Sequence, residues 1–348
     1  MRASITSAAI LVSAAAIGWI VVPAASRAWR QIEIAEDPVA LADQRLADTI
    51  NEQGVAREID AALSAADDDL AASLIELADA GGVRVDPAAR AQLVALRANP
   101  AWHALRDFGG GFVAGGGESG AAMVGAITGD VVGYGDLRDL AHEGAKAASG
   151  EAIDPLVVGL AAAGLGLSVA TWTSLGAALP ARGGLTLVKA TQRAGRLSKP
   201  LVASLSRAAA SAIDREALAR AAAAAGRLAP IEAAQAARGI LRPAALATFE
   251  RLGENVATLT ARTGQRGARQ VLALAETDAE LARAAQIAAA KGPRTRAILA
   301  ILGRGALTTF TLTLTVLGWL TSFALYLLGL AFAARRFGLW LGRLRWRN

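Results

Sequence analysis

The run "GALTTFTLTLTVLGWLTSFALYLLGLAFAA", Gly305–Ala334, decides the fold class. Thr309, Thr311, Thr313 and Thr315 recur at every second position, the period of a β-strand. Yet the run holds 30 residues without a charge, far beyond the roughly 3–10 residues of ordinary strands. A helix accommodates it, because a threonine hydroxyl facing lipid can return to the carbonyl one turn back. A bilayer core needs about 20 apolar residues of helix. The run is therefore expected to be a transmembrane helix over 305–334, bracketed by Arg304 and by Arg335 with Arg336.

Two further uncharged runs extend the same reading. Ala3–Ser26, "ASITSAAILVSAAAIGWIVVPAAS", has 24 residues, with Trp19 inside it and Trp29 just beyond, residues that suit membrane interfaces. It reads as an uncleaved anchor over 1–26; the alternative is a signal peptide with Arg2 as its basic start and Ala24-Ala25-Ser26 as its cleavage site. Pro155–Ala181 has 27 residues, but Gly159, Gly164, Gly166 and Gly176 weaken it as a helix. It reads as a segment that inserts with a partner, or else as a buried helix of a soluble domain.

The partner expected for it lies in "GFVAGGGESGAAMVGAITGDVVGYGD", Gly111–Asp136. Gly115, Gly117 and Gly120 satisfy G-x-G-x-x-G, but no strand precedes them and no βαβ unit follows, and a phosphate-binding loop with Gly-Lys-Ser/Thr is absent. Spacing of four is the better description. Gly117, Ala121, Gly125, Gly129 and Gly133 form a stripe of small residues on which another helix can pack closely. Glu118 and Asp130 interrupt it, and each costs about 2.5–3.5 kcal/mol at a bilayer centre. Residues 109–181 are thus expected to form a glycine-rich hydrophobic hairpin, with a flexible linker as the alternative. Asp136, Asp139 and His142, three apart with Glu143 beside them, fall near one face of a short helix between the arms. With Glu118 and Asp130 they make a polar site that could hold a metal or relay protons; otherwise they are a solvated cap. One helix face alone does not close a coordination sphere, so no metal, cofactor or catalytic residue is assigned.

Composition bounds the rest. The chain has no cysteine, which excludes disulfides and thiolate chemistry, and its excess of arginine over lysine, 32 to 4, suits a GC-rich bacterial genome. The net charge of +6 hides an asymmetry: 27–108 carries 8 basic and 15 acidic residues, while 182–304 carries 20 basic and 8 acidic. Such halves have different partners or face each other. The acidic region reads as helical hairpins, faintly similar to tetratricopeptide-type hairpins, with Asp67–Asp69 at a helix start, Gly81-Gly82 at its end and Asp86-Pro87 starting the next. The basic region reads as alanine-rich helices with a cap at Asp214, a capping box from Thr277 to Glu280, and breaks at Pro200, Pro230, Pro243, Gly253, Gly264 and Gly292-Pro293. Anionic lipid or an acidic protein is its expected partner, and the acidic region is an internal candidate. Nucleic acid is not expected, since Phe249 is the only aromatic residue between Arg182 and Arg304. In the basic amphipathic tail, 335–348, Arg335, Arg336, Arg343, Arg345 and Arg347 alternate with apolar residues including Trp340 and Trp346, a composition for a membrane surface.

The segment "GDLRDLAHEG…DPLVVGLAAAGLGL…SLGAALPARGGLTLVKATQRAGRLS" resembles uncharacterised glycine-rich membrane proteins of proteobacteria over roughly Gly111–Ser198, a family that implies no activity. A more distant similarity is to the glycine- and aspartate-containing helical hairpins that precede toxin domains in secreted bacterial toxins, and no toxin motif follows here. The expected fold is all-α: an integral membrane protein with an anchor (1–26), an acidic helical domain (27–108), the hairpin (109–181), a basic helical region (182–304), a transmembrane helix (305–334) and the tail. Arginine-rich ends favour an even number of crossings, with both termini cytoplasmic and 27–304 mainly periplasmic at a bacterial inner membrane. The expected function is a non-enzymatic scaffold or accessory subunit contacting membrane lipids and other envelope proteins, and the glycine stripe also admits a homo-oligomer. A pore or transport element built on the hairpin, or an enzyme using Asp136, Asp139, His142 or Glu143, are the alternatives.

Overall fold

The computed structural model describes residues 17–26, 29, 37–98, 134–173, 175–227, 229–308 and 313–345. Every regular element among them is a helix, and Ile213 and Leu241 make only an isolated antiparallel bridge. The chain is all-α. It divides into two compact units, one built from Met1–Leu41 with Thr308–Asn348, the other from Ala42–Leu307.

The first unit contains α1 (residues 17–26) and the long α15 (Thr313–Arg345). The threonine alternation is no strand, because Thr313 and Thr315 lie on α15; Thr309 and Thr311 fall outside the described residues. α1 and α15 meet where Gly18 faces Tyr326, and a Cβ on Gly18 would run into the tyrosine hydroxyl.

The second unit starts within α2 (Pro38–Thr49) and continues through α3 (Glu52–Ser64), α4 (Asp68–Ala80), α5 (Pro87–Arg97), α6 (Tyr134–Ala148), α7 (Pro155–Thr173), α8 (Leu179–Arg193) and α9 (Lys199–Ala210). It is completed by α10 (Arg215–Gly226), α11 (Pro230–Ala237), α12 (Pro243–Leu274), α13 (Asp278–Lys291) and α14 (Thr295–Leu302), with 3-10 turns at Gly292–Arg294 and Gly303–Ala306. Short polar side chains start these helices by accepting orphan amide protons: Asn51 from Gly54, Asp67 from Leu70, Asp86 from Ala88, Asp214 from Ala217 and Thr277 from Glu280. The Thr277–Glu280 box forms with one change: the Glu280 carboxylate accepts from the amide of Glu276, one residue before the cap. Prolines at 200, 230 and 243 sit in first turns, where their missing amide proton costs nothing. Gly264, in the left-handed region at φ 72°, breaks α12, whereas Gly253 is no break and lies inside it.

α7 is apolar on every side, and such a helix belongs inside protein or lipid. Here protein surrounds it, with α6, α8, α9, α11 and α12 all packed against it. Leu156, Leu160 and Leu165 are fully buried. The glycines that weaken α7 as a helix are points of contact. A Cβ on Gly159 would lie 2.7 Å from the Phe249 ring, and one on Gly164 would collide with the Asp136 carboxylate. The closest backbone approach joins α8 to α12: a Cβ on Gly184 would strike the Gly253 carbonyl, and one on Gly253 the Ala181 carbonyl.

Two expectations change. Pro155–Ala181 is not one helix, because α7 ends at Thr173 and the chain turns through Leu175 and Gly176, at φ 52° and 97°, into α8. And among the described residues no helix is long and apolar enough to cross a membrane. α7, apolar on every side, is enclosed by its neighbours, so protein covers the surface that lipid would otherwise meet. The stripe Gly117, Ala121, Gly125, Gly129 and Gly133, with Glu118 and Asp130, lies outside the described residues.

The helix crossing yields a direct test. Gly184→Ala and Gly253→Ala are each expected to lower the unfolding free energy by about 1–3 kcal/mol, measured by chemical denaturation followed by circular dichroism. Gly183→Ala, whose Cβ meets nothing within 4 Å, is the control and should be neutral. Wild-type stability in both crossing variants would refute the close approach.

Candidate functional site

Asp136 and Asp139 stand one turn apart on α6, and Lys189 and Arg193 one turn apart on α8. The two helices bring them together. Lys189 donates to Asp136 and lies 2.9 Å from Asp139, which also receives Arg193 at 2.7 Å. Asp136 is 6% exposed, and its carboxylate occupies the room left by Gly164. Glu143, 3% exposed, pairs with Lys146 at 2.7 Å and accepts the Asp154 amide at 2.6 Å, tying α6 to the start of α7. On α8, buried Arg182 donates to the Ser168 hydroxyl, which donates in turn to the Gly164 carbonyl at 2.7 Å. The solvated-cap reading of this segment is therefore corrected for Asp136 and Glu143. His142 is exposed and joins neither cluster. Among the described residues, no three His, Asp or Glu side chains are grouped to hold a metal. Lysine and arginine occupy the space between the carboxylates. Half-buried Lys189 joins α8 to buried Asp136 and to Asp139 on α6, and removing the lysine would strand the Asp136 charge, whereas the Arg193 pair is solvent-exposed.

The acidic and basic regions also meet. Arg296 holds both oxygens of Asp67, at 2.9 and 2.6 Å, and Arg266 lies 3.6 Å from the same carboxylate. Glu76 pairs with Arg294 at 3.4 Å, and Asp43 with Lys291 at 2.7 Å. Ser73, in the middle of α4, completes the contact. Its hydroxyl accepts the Ala297 amide at 2.9 Å and donates to the Pro293 carbonyl at 2.7 Å, so α4 supplies the N-terminal cap that α14 lacks in its own sequence. Burial pushes the Asp67 carboxyl up, but the hydrogen bonds and charge of Arg296, the Leu70 amide and Arg266 outweigh it and hold its pKa below the ordinary value. Glu280 behaves alike: burial raises it, and Arg304 at 2.6 Å with the Glu276 amide lowers it further than burial lifts it.

The ion pairs of these clusters join one helix to another. The surfaces open to partners lie elsewhere. α1 and α15 expose large apolar side chains, with Trp19 85% and Phe332 67% exposed, and Ile20, Leu317, Leu325 and Leu328 similarly open. In the second unit a cleft of about 530 Å³ lies between the α7–α8 turn and α12, lined by Leu167, Pro180, Ala181, Glu250, Glu254 and Ala257. Leu175, on the same turn, is 98% exposed. No protein family, curated protein or solved structure matches this chain.

The low Asp67 and Glu280 pKa values set the acid response. Each group binds a proton less readily folded than unfolded, so its contribution is complete above the unfolded pKa and disappears as pH falls through the folded one. Stability should be flat from neutrality to about pH 4–5 and decline below it. Asp67→Asn keeps a good helix cap but removes the charge. It should cost about 3 kcal/mol at pH 7, because Arg296 is left buried without its partner, and should shrink the acid-dependent loss. A pH series of urea melts measures both.

Proposed function

We propose that this chain is a non-enzymatic protein of a bacterial inner membrane. α1 and α15 seat it in lipid, and the helical unit of residues 42–307 serves as a scaffold or accessory surface for other envelope proteins. The observation that carries the reading is the pairing of two apolar segments, far apart in sequence, in a unit of their own. Neither 3–26 nor 305–334 contains a charged residue, and on the described parts of α1 and α15 large apolar side chains face outward, among them Trp19, Ile20, Leu317, Leu325, Leu328 and Phe332. Burying each such side chain is worth about 1.5–3 kcal/mol, so a dozen left in water would be a heavy cost. Lipid removes that cost and suits tryptophans at the ends of apolar segments. Attachment by the pair does not require either helix to be a lone span. The pairing also agrees with an even number of crossings, which puts Arg2 and the arginine tail on the cytoplasmic side and residues 27–304 on the other. The helix-rich second unit, with its paired internal charges and the open α7–α8 turn, suits protein contact rather than chemistry.

Alkaline carbonate extraction of membranes holding the full-length chain tests the attachment. The protein should remain in the pellet and enter solution only with detergent; release by carbonate would end the proposal. Sizing after mild detergent tests the scaffold role, for which a co-purifying protein or a second copy is expected. A lone protomer would count against it.

A further inference from the structure

The arginines of the basic region have different fates. Arg266, Arg294 and Arg296, with Lys291, are matched by the acidic hairpins. None of the described ion pairs from the acidic region reaches residues 196–242. Within that stretch Glu216 lies near Arg220, Glu232 pairs with Arg227, and Asp214 caps α10. Arg207, Arg215, Arg238 and Arg242 are all exposed, and among the described residues none has a carboxylate partner.

The fold gathers these four. The α9–α10 turn and the α11–α12 turn are zipped together: the Asp214 amide donates to the Ile240 carbonyl at 2.7 Å, and the Arg242 amide to the Ala212 carbonyl at 3.1 Å. This is the Ile213–Leu241 bridge. It places Arg242 opposite Ala212, and it sets Arg215, just past Asp214, beside the turn that follows Arg238. Arg207 is one helical turn before Ser211, at the end of α9. The two turns that carry these four exposed cations, spread over 36 residues of sequence, are thus joined through their backbones into one edge.

We infer that this edge docks on the anionic headgroups of a phospholipid surface. The inference rests on the membrane attachment proposed above. Guanidinium groups suit phosphate, which they grip through two parallel hydrogen bonds. Among the described residues the acidic hairpins pair with Arg266, Lys291, Arg294 and Arg296 and not with this edge, which leaves it open to an external anion. Nucleic acid fits less well. Phe249, the one aromatic residue of 182–304, is fully buried, so this basic region offers no stacking platform. The arginines also sit at two turns instead of along one groove-reading helix.

The absence of cysteine from the chain makes a contact probe simple. Ser211→Cys, exposed at the centre of the edge, is labelled with a fluorophore in the full-length chain. The labelled protein is reconstituted into vesicles bearing a headgroup-attached quencher, of neutral phosphatidylcholine alone or with about one third phosphatidylglycerol. Quenching should be at least about fivefold stronger in the anionic vesicles and should fall when salt is raised to about 0.5 M. It should be lost in the Arg207→Gln, Arg215→Gln, Arg238→Gln, Arg242→Gln variant and kept in the corresponding Arg→Lys variant, with vesicle flotation and circular dichroism unchanged in both. Equal quenching in neutral vesicles, or quenching that survives the glutamine substitutions, overturns the inference while leaving the attachment intact. A DNA duplex that binds the edge in preference to anionic vesicles overturns it in favour of nucleic acid. A wild-type chain that fails to float with either vesicle overturns the attachment, and the docking edge with it.

Discussion

Helices of alanine and glycine bury little surface each, so they must come close together before burial amounts to much. In this chain aromatic residues make up only 5%, and the large unit solves the problem at the crossing of α8 and α12. Gly184 and Gly253 have no side chain there, and each backbone rests on the other. The same device lets Phe249 lie against Gly159 and lets the Asp136 carboxylate sit against Gly164. Dispersion between closely packed backbones then supplies what bulky side chains supply elsewhere. Without that approach α7 would lose two of its walls, and the helices arranged around it would lose their common axis.

Charge finishes what close packing starts. The net charge of +6 describes almost nothing about the surface, because the two oppositely charged regions are folded against each other. Asp67 illustrates the economy of the arrangement: one carboxylate caps α4, binds Arg296 through both oxygens and faces Arg266. Ser73 does for α14 what Asp67 does for α4, but from another helix. The contact is therefore specified at both helix starts, and it tethers the acidic hairpins to the end of the basic region and not to its middle. That difference leaves the 207–242 edge unmatched.

Much of the local structure was legible along the chain. The caps at Asp67, Asp86, Asp214 and Thr277 act within three residues, so they appear in sequence as they do in space, and the glycine pair at 81–82 ends α4 as read. Gly253 and Gly264 look alike in sequence as helix breaks, though only Gly264 adopts a positive φ. A glycine that breaks a helix and one that lets another helix approach look identical until the neighbour is known. The spacing of Gly253 and Ala257 on one helix, and of Ala181, Gly184 and Val188 on the other, was the available signal. The cluster of Asp136 and Asp139 was visible as a pair of acids, but its meaning depends on Lys189 and Arg193, some 50 residues away.

The sequence by itself determined that the chain is helical, that helices begin at Asp67, Asp86, Asp214 and Thr277, and that its acids and bases are segregated. Those properties follow from interactions between residues a few positions apart. Only the tertiary structure decided that α7 is covered by protein, that the charged regions neutralise each other in part, and that the apolar ends pair in a unit of their own. The reason is geometric: an apolar face or a charge states that it needs a partner, and only the folded chain shows which surface supplies it.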